Sequence, residues 1–561
     1  ADRDGLARAR ELGIIFHPQM KVTGLGIDNT VYVEGVSSIS EESYCVDGCI
    51  LSSTVIIAAG QKLADIGEQL VSNDAGSTEQ LDCVSTLKDA TPPTSVDTNN
   101  GKSHVYYAGG DAMTPGGDTV VSAVADGKRA AQLIRPHVLP PPRERISLET
   151  EFCGIKFENP FCLSSSPVTN SADMIAKAYD FGWAGAYYKT LNREDKFHVS
   201  HPSPRLHGVH SNSGASQRVG VGIQNVEQIS DRPLADNLAD ILWLRKNYPK
   251  KVTAVSIMGF DTDDWAYLAA AAEGAGAHLL ELNFSCPQMA REDAGHHIGQ
   301  KFGLIEKYTA AAKKAVNIPV IAKMTPNITD MVPAALAAQN GGADGISAIN
   351  TIKAISHVDL EHQALMPTVD GKGIISGFSG RAGRPVGLRF VTELAHEKAL
   401  TIPISGMGGI YTWRDGAEYL EVGASNLQAT TSVMQHGYRI VEDMIDGLHH
   451  HLVASGSSSV QDIIGGALPS VVNPADLDTE SEVVSVVDLE KCIGCGACVV
   501  ACRDGAAQAI ELSQPCSDEG KRYAIVDMDK CVGCKLCQIV CPVDALFFST
   551  RRRIERERFS K

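Results

Sequence analysis

The chain has 561 residues, with 50 Lys and Arg against 67 Asp and Glu, giving a formal net charge of −17. At roughly 150 residues per domain this length predicts about three or four domains, and 43% hydrophobic with 21% charged residues fits a soluble chain with large cores. The acidic balance argues against nucleic acid, whose affinity rests on a basic footprint. No apolar run approaches the ~18 residues of a membrane span, and ADRDGLARAR at the N-terminus is not a signal peptide, so neither membrane contact nor export is expected and the location is read as cytoplasmic.

Residues 1–140 have the alternating texture of a small α/β unit. Thr54–Gly60 is a buried-strand run stopped by Gly, and His104–Asp111 is a second. A Pro115-Gly-Gly turn, a helix over Val120–Ile134 and a stiff Leu139-Pro-Pro-Pro142 linker follow. Over 147–452, short apolar strands alternate with longer helical stretches. Eight strands are predicted: Phe161–Ser166, Ala184–Thr190, Thr253–Met258, Leu279–Ser285, Pro319–Thr325, Gly345–Thr351, Pro403–Gly408 and Asn426–Thr431. Eight such repeats in about 300 residues predict a (β/α)8 barrel, and the polar ends of the strands mark the C-terminal rim where such barrels build active sites. Residues 453–483 form a partly Ser/Gly-rich linker, 484–549 a cysteine-rich module, and 550–561 a mixed-charge tail that reads as a solvated terminal helix rather than a docking segment.

Of fifteen cysteines, eight fall within 492–541, as Cys492-x2-Cys495-x2-Cys498-x3-Cys502 and Cys531-x2-Cys534-x2-Cys537-x3-Cys541-Pro542. Three thiolates at x2 spacing wrap one face of a cubane, and the fourth of each run ligates the other cluster. Cys492, Cys495, Cys498 and Cys541 are thus expected to hold one [4Fe-4S] cluster, and Cys531, Cys534, Cys537 and Cys502 the second. Structural zinc is the alternative for CxxC pairs; two complete copies of the run favour clusters. Arg503 stands where a Pro would usually follow the first run.

A cluster-bearing chain needs a group that converts electron pairs to single electrons, and a flavin does so. Gly406-Met-Gly-Gly409 and Gln428-Ala-Thr-Thr431 follow strands seven and eight, where such barrels bind phosphate; Ser379-Gly380 adds a further Gly loop. Lys189 and Lys323 point to the same interior top, with an electron-rich flavin or its phosphate as the expected partner and snorkelling from the barrel mouth as the alternative. Asn283 and Ser285 are read on one strand face, Asn225 and Glu227 as a second pair, and Asn350-Thr351 as a third polar group. Three asparagine amides suit a flat, amide-containing heterocycle. Cys286, on the loop after strand four, could act as acid or base toward a ring carbon; taken alone, a cysteine in a barrel is more often inert filler. His296-His297 is open between the active-site loop and a solvated pair.

Together Asn159-Pro-Phe, Lys189-Thr190, Asn225-Val-Glu227, Asn283-Phe-Ser-Cys-Pro287, Lys323-Met-Thr-Pro-Asn327, Gly341-Gly-Ala-Asp-Gly345, Asn350-Thr351, Gly408-Gly-Ile410 and the twin-cluster ferredoxin resemble the dihydropyrimidine dehydrogenase family over about 147–549. The resemblance implies a dihydroorotate-dehydrogenase-like TIM barrel followed by a ferredoxin-like 2×[4Fe-4S] domain. It places FMN on Ser165, Lys189, Thr190, Lys323, Gly380, Met407, Gly408, Gly409, Thr430 and Thr431. It sets Asn225, Glu227, Asn283, Ser285, Asn350 and Thr351 around uracil or thymine, and makes Cys286 the general acid of NAD(P)H-dependent pyrimidine reduction. A homodimer is implied, in which the clusters feed the partner's flavin. Residues 1–140 look like the C-terminal half of the accompanying glutamate-synthase-type reductase domain. There Ala59 and Gly60 would lie near the nicotinamide nucleotide, and Gly110, Asp111 and Thr119 at FAD.

No Gly-x-Gly-x-x-Gly fingerprint is present. FAD and NAD(P)H are therefore expected only if the reductase domain is completed, by the rest of a longer polypeptide (the favoured reading) or by a separate chain. Cys45, Cys49, Cys83, Cys153, Cys162 and Cys516 read as packing cysteines. Two rival readings are a dihydroorotate dehydrogenase-like flavoenzyme and a non-catalytic electron-transfer module.

Overall fold

The computed structural model describes residues 146–561 apart from 212–218, 288–294, 480–482, 516–521 and 551–561, together with seven strands within residues 1–145. The chain divides into two compact units, 1–146 and 147–561. In the first, Met20–Leu25, Thr30–Gly35 and Gly48–Leu51 form an antiparallel sheet, while Ile56–Ala58 pairs in parallel with Tyr107–Gly109. That parallel pair falls within the two strands read from the sequence; the antiparallel sheet was not anticipated. Ala59, Gly60, Gly110, Asp111, Thr119 and the helix over 120–134 lie outside the described residues, as do Cys45, Cys83, Cys516 and the side chain of Cys49.

The second unit is built on a closed barrel of eight parallel strands: β1 (Phe161–Leu163), β2 (Gly185–Leu191), β3 (Val252–Ile257), β4 (Leu279–Asn283), β5 (Val320–Lys323), β6 (Gly345–Ala348), β7 (Ile404–Met407) and β8 (Ala424–Ala429). Every residue of β2 to β6 is buried, because helices cover the barrel outside and side chains fill it inside. Each predicted strand is present, but most stop one to three residues short of the predicted C-terminal end. The polar residues there belong to the turns that leave the barrel. Main helices α1 (Ala172–Asp180), α2 (Leu234–Asn247), α3 (Thr262–Gly274), α4 (Phe302–Lys314), α5 (Val332–Asn340), α6 (Arg384–His396), α7 (Trp413–Glu421) and α8 (Ile440–Ser455) follow the strands in turn. Several starts are written in the sequence: Ser171 and Asp261 cap α1 and α3, and Thr412 with Asp415 forms a capping box on α7.

A hairpin of Thr150–Phe152 and Ile155–Phe157 packs at the N-terminal end of the barrel, where Phe152 and Phe157 join Cys162, Tyr187, Leu279 and Ile321 in one apolar cluster. Cys153 packs against the same cluster, so the two cysteines described there are packing residues. At the opposite end, insertions after β2 and β6 form a four-stranded sheet in the order 206–211, 219–225, 376–379, 352–354. This rim sheet was not read from the sequence, and it carries Asn225 to the barrel mouth. The stretch after α8 is not a free linker: Val460 and Ile463 are buried, and the N–H groups of Gly465 and Ala467 donate to the Leu420 and Glu421 carbonyls at the end of α7. Beyond it, β9 (Val483–Val487) pairs with β12 (Leu546–Thr550) and β10 (Ile510–Leu512) with β11 (Ala524–Val526) around the cysteines. No helix among the described residues is long and apolar enough to cross a membrane.

Candidate active site

At the C-terminal ends of the barrel strands lies a cavity of about 1150 Å³, counted out to its open mouth. It is lined by Ser165, Lys189, Thr190, Lys323, Gly380, Met407, Gly408, Gly409, Thr430 and Thr431, the residues expected at FMN. Asn225, Glu227, Asn283, Cys286, Asn350 and Thr351, expected at the pyrimidine, line it too. Ser285 does not. β4 ends at Asn283, so Ser285 sits in the turn, fully buried, and supports its neighbours instead of facing the cavity.

That support is a chain of hydrogen bonds. Asn350 Nδ2 donates to Ser285 Oγ (2.8 Å), Ser285 Oγ donates to Asn283 Oδ1 (3.0 Å), and Asn283 Nδ2 donates to Thr190 Oγ1 (3.0 Å). Two of the three asparagines are thus oriented before any ligand arrives, the preorganisation that polar recognition needs. The third, Asn225, donates from Nδ2 to the Gly377 carbonyl at 3.0 Å. Gly377 leaves room for this. A Cβ there would come 2.5 Å from Thr351 Oγ1 and 3.2 Å from Asn225 Nδ2.

Both buried lysines are paired with carboxylates, where the sequence reading expected a flavin or its phosphate. Lys189 Nζ donates to Glu227 Oε1, and Glu227 Oε2 accepts from Arg205 Nη1 at 3.3 Å. Burial, the largest influence on His201 beside Glu227, pulls that imidazole below its usual range. Lys323 Nζ donates to Ser164 Oγ and to Glu281 Oε1, each at 3.2 Å. Glu281, fully buried, also accepts from Ser347 Oγ (2.9 Å) and Gln428 Nε2 (3.3 Å). Glu281 is the residue the sequence reading passed over, and Gln428, read there as the start of a phosphate loop, is a buried partner of it. The signal was present: Glu281 interrupts the apolar run Leu279-Leu-Glu-Leu282 and shares a face with Asn283.

Three polar atoms that belong to residues lining the cavity are buried without a hydrogen-bond partner among the described residues: Gln428 Oε1, Tyr411 OH and Ser432 Oγ. An unpaired buried polar atom costs roughly 1–3 kcal/mol, so a ligand that satisfies all three is favoured. Gln428 donates through Nε2 to Glu281 and Ser405, which leaves Oε1 for an N–H donor such as the imide of a flavin ring. Burial pushes the Tyr411 phenol up to about 12, so it remains a neutral donor suited to a phosphate oxygen. Nearby, Gly409 has φ +71, and a Cβ there would meet the Gly380 carbonyl at 2.9 Å; a bare backbone turn is what fits. The residues suit FMN.

Cys286 packs with Val199, Ile229, Met258 and Phe260. The Cys286 carbonyl accepts from the His296 N–H at 3.0 Å, and His296 Nδ1 stands 3.4 Å from it. His296 is therefore buried against the active-site turn and is no solvated loop residue, which decides the alternative left open above. Its burial, with His297 and Lys353 beside it, lowers its pKa to about 4, and the ring is neutral near pH 7.

The eight module cysteines surround two cavities. Cys492, Cys495, Cys498 and Cys541 line one of about 350 Å³, and Cys502, Cys531, Cys534 and Cys537 line another of about 320 Å³. Four thiols set around a cavity of this size suit a cubane. Backbone N–H groups of Ala545, Ala509 and Ser485 point at Cys541, Cys502 and Cys531 Sγ (3.3, 3.3 and 3.5 Å), as cluster sulfurs need. We expect Cys502→Ala to disturb the cluster of the later run and Cys541→Ala that of the earlier run. Iron content and the spectrum of the surviving cluster report which is lost; loss within the variant's own run would overturn the crossed assignment.

Comparison with known proteins agrees with this geometry. The dihydroorotate dehydrogenase family model matches residues 147–452, and the 4Fe-4S dicluster domain model matches residues 485–547. The NAD-dependent dihydropyrimidine dehydrogenase subunit PreA of Escherichia coli K12 is 48% identical over 369 residues, covering 65% of this chain and 88% of that protein. The chloroplastic dihydropyrimidine dehydrogenase (NADP(+)) of Arabidopsis thaliana is 33% identical over 331 residues, 58% of this chain and 78% of the relative. The catalytic subunit of dihydroorotate dehydrogenase B (NAD(+)) from Pyrococcus horikoshii is 35% identical over 321 residues, 57% of this chain and 98% of the relative. With the barrel model spanning more than half of its length, this chain belongs to the dihydroorotate dehydrogenase family of oxidoreductases and carries a 4Fe-4S dicluster domain behind the barrel.

Proposed function

We propose that this chain reduces the 5,6 double bond of a neutral pyrimidine base, uracil or thymine. The observation that carries this reading is one cavity in which the Cys286 thiol and three asparagine side chains converge while both buried lysines are already paired with carboxylates. Asn225, Asn283 and Asn350 would hold the amide edges of the ring, with Thr351 and Glu227 beside them and Ser285 fixing two of the amides. FMN, which Ser165, Lys189, Thr190, Lys323, Gly380, Met407 to Gly409, Thr430 and Thr431 would hold, would supply the hydride equivalent when bound. Cys286 supplies the proton that adds at C5, so the product gains one hydride and one proton.

Lys189 bears on the choice of substrate. A substrate with its own carboxylate, such as dihydroorotate, calls for an uncommitted cation, and here Glu227 occupies that lysine. Relatives described as subunits support a partner chain. We read NAD(P)H oxidation as the task of a completed reductase unit, the eight cysteines as two clusters that bring electrons singly, and the working form as a dimer. Turnover of uracil and of dihydroorotate by the cofactor-loaded chain tests the proposal. Uracil is expected to be turned over well and dihydroorotate poorly; the reverse preference would assign the site to dihydroorotate.

A further inference from the structure

The two cluster cavities are related by an internal repeat, and the repeat is broken at two positions. Ser485 stands seven residues before Cys492, and Ala524 stands seven before Cys531. Each faces the cluster site of the other run: Ser485 lines the cavity of Cys502, Cys531, Cys534 and Cys537, and Ala524 lines that of Cys492, Cys495, Cys498 and Cys541. In the same way Gly496 follows Cys495, while Lys535 follows Cys534 in the same left-handed backbone conformation. Apart from cysteine, Ser485 and Lys535 are the only polar side chains among the described residues that line either cavity.

Ser485 is buried, its N–H lies 3.5 Å from Cys531 Sγ, and its Oγ lies 3.4 Å from Cys537 Sγ. A cysteine bound to iron has no proton to give, so in the loaded protein the Ser485 hydroxyl is the donor to sulfur. Lys535 Nζ sits 5.1 Å from the ring centre of Phe548, another residue of that cavity wall. An electron added to a cluster spreads negative charge over its sulfurs, and donors or cations beside them stabilise the reduced form more than the oxidised one. The buried hydroxyl acts in a low local dielectric; the exposed lysine is screened by solvent and contributes less.

We propose that Ser485, assisted by Lys535, makes the cluster at Cys502, Cys531, Cys534 and Cys537 the electron-holding member of the pair, so that the two clusters form a potential step and not two equal stations. The proposal rests on the ligand assignment above. It predicts two separate one-electron waves when the full chain, loaded with about eight irons, is titrated with reductant and followed by EPR.

Ser485→Ala should lower the upper wave and leave the lower one in place. A change of about tenfold in electron partition corresponds to about 59 mV for one electron. Ser485→Thr, which keeps the hydroxyl, should retain the native split. The reciprocal Ala524→Ser should raise the lower wave and narrow the split, and it decides the question if Ser485→Ala fails to assemble both clusters. The proposal is overturned if Ser485→Ala shifts neither wave or shifts the lower one, if Ser485→Thr behaves like Ala, or if Ala524→Ser leaves the split unchanged. A native chain that assembles fewer than two clusters overturns the ligand assignment itself, and the proposal with it.

Discussion

Cys286→Ala is expected to cut the rate of uracil reduction roughly 10²–10⁴-fold, the usual worth of a positioned proton donor. The substitution removes the sulfur and leaves the main chain of the turn in place. The backbone carbonyl that holds His296 remains, and the chain of hydrogen bonds from Asn350 through Ser285 to Thr190 does not involve the thiol. FMN content, cluster content and the KM for uracil should therefore change little, with the loss concentrated in kcat. His296, a neutral ring near pH 7, does not replace the lost proton, because it meets Cys286 through its backbone carbonyl. Cys286→Ser should retain part of the rate, since a hydroxyl carries a proton but yields it less readily than a thiol. A Cys286→Ala variant with full turnover and intact cofactors would show that the thiol is only packing, and would favour the electron-transfer module.

Much of this site was legible in the sequence because two rules carry far. Alternation in a strand puts every second residue inside a barrel, and active sites gather at the C-terminal rim. These rules placed Lys189, Asn283 and Lys323 in the cavity. The cysteine spacing carried further still, since the geometry of a cubane fixes which thiols can share it. What the sequence did not disclose depends on contacts between distant segments. Asn225 reaches the cavity through a sheet whose strands come from two insertions, 206–225 and 352–379, and no local pattern announces that pairing. Ser285 was misplaced because one extra pair of strand residues was assumed, and in a two-residue repeat the end of a strand decides whether a side chain faces ligand or neighbour. The partners of the lysines were missed for a similar reason. Glu281 stands 42 residues from Lys323, and only closure of the barrel sets them side by side.

That pairing yields the second large effect. Glu281→Leu should destabilise the barrel by about 3–5 kcal/mol, because it strands the Lys323 charge in an interior where both side chains are almost fully buried. Ser164 Oγ remains as an acceptor for Lys323 Nζ, but a neutral hydroxyl does not offset a cation. Lys323→Met should cost less, since Glu281 keeps the Ser347 and Gln428 donors. The double variant, Glu281→Leu with Lys323→Met, removes both charges together and should recover most of the lost stability, as replacing a whole buried pair by apolar groups is often neutral. Urea unfolding followed through the buried Trp183 and Trp265 reads all three. FMN retention should not follow the same order: the rescued double variant lacks one of the two lysines that line the cavity and should bind FMN weakly despite its stability. If the double variant is as unstable as the sum of the singles, the two residues are not coupled and the ion pair is incidental. If it recovers both stability and FMN, Lys323 serves the fold and not the cofactor.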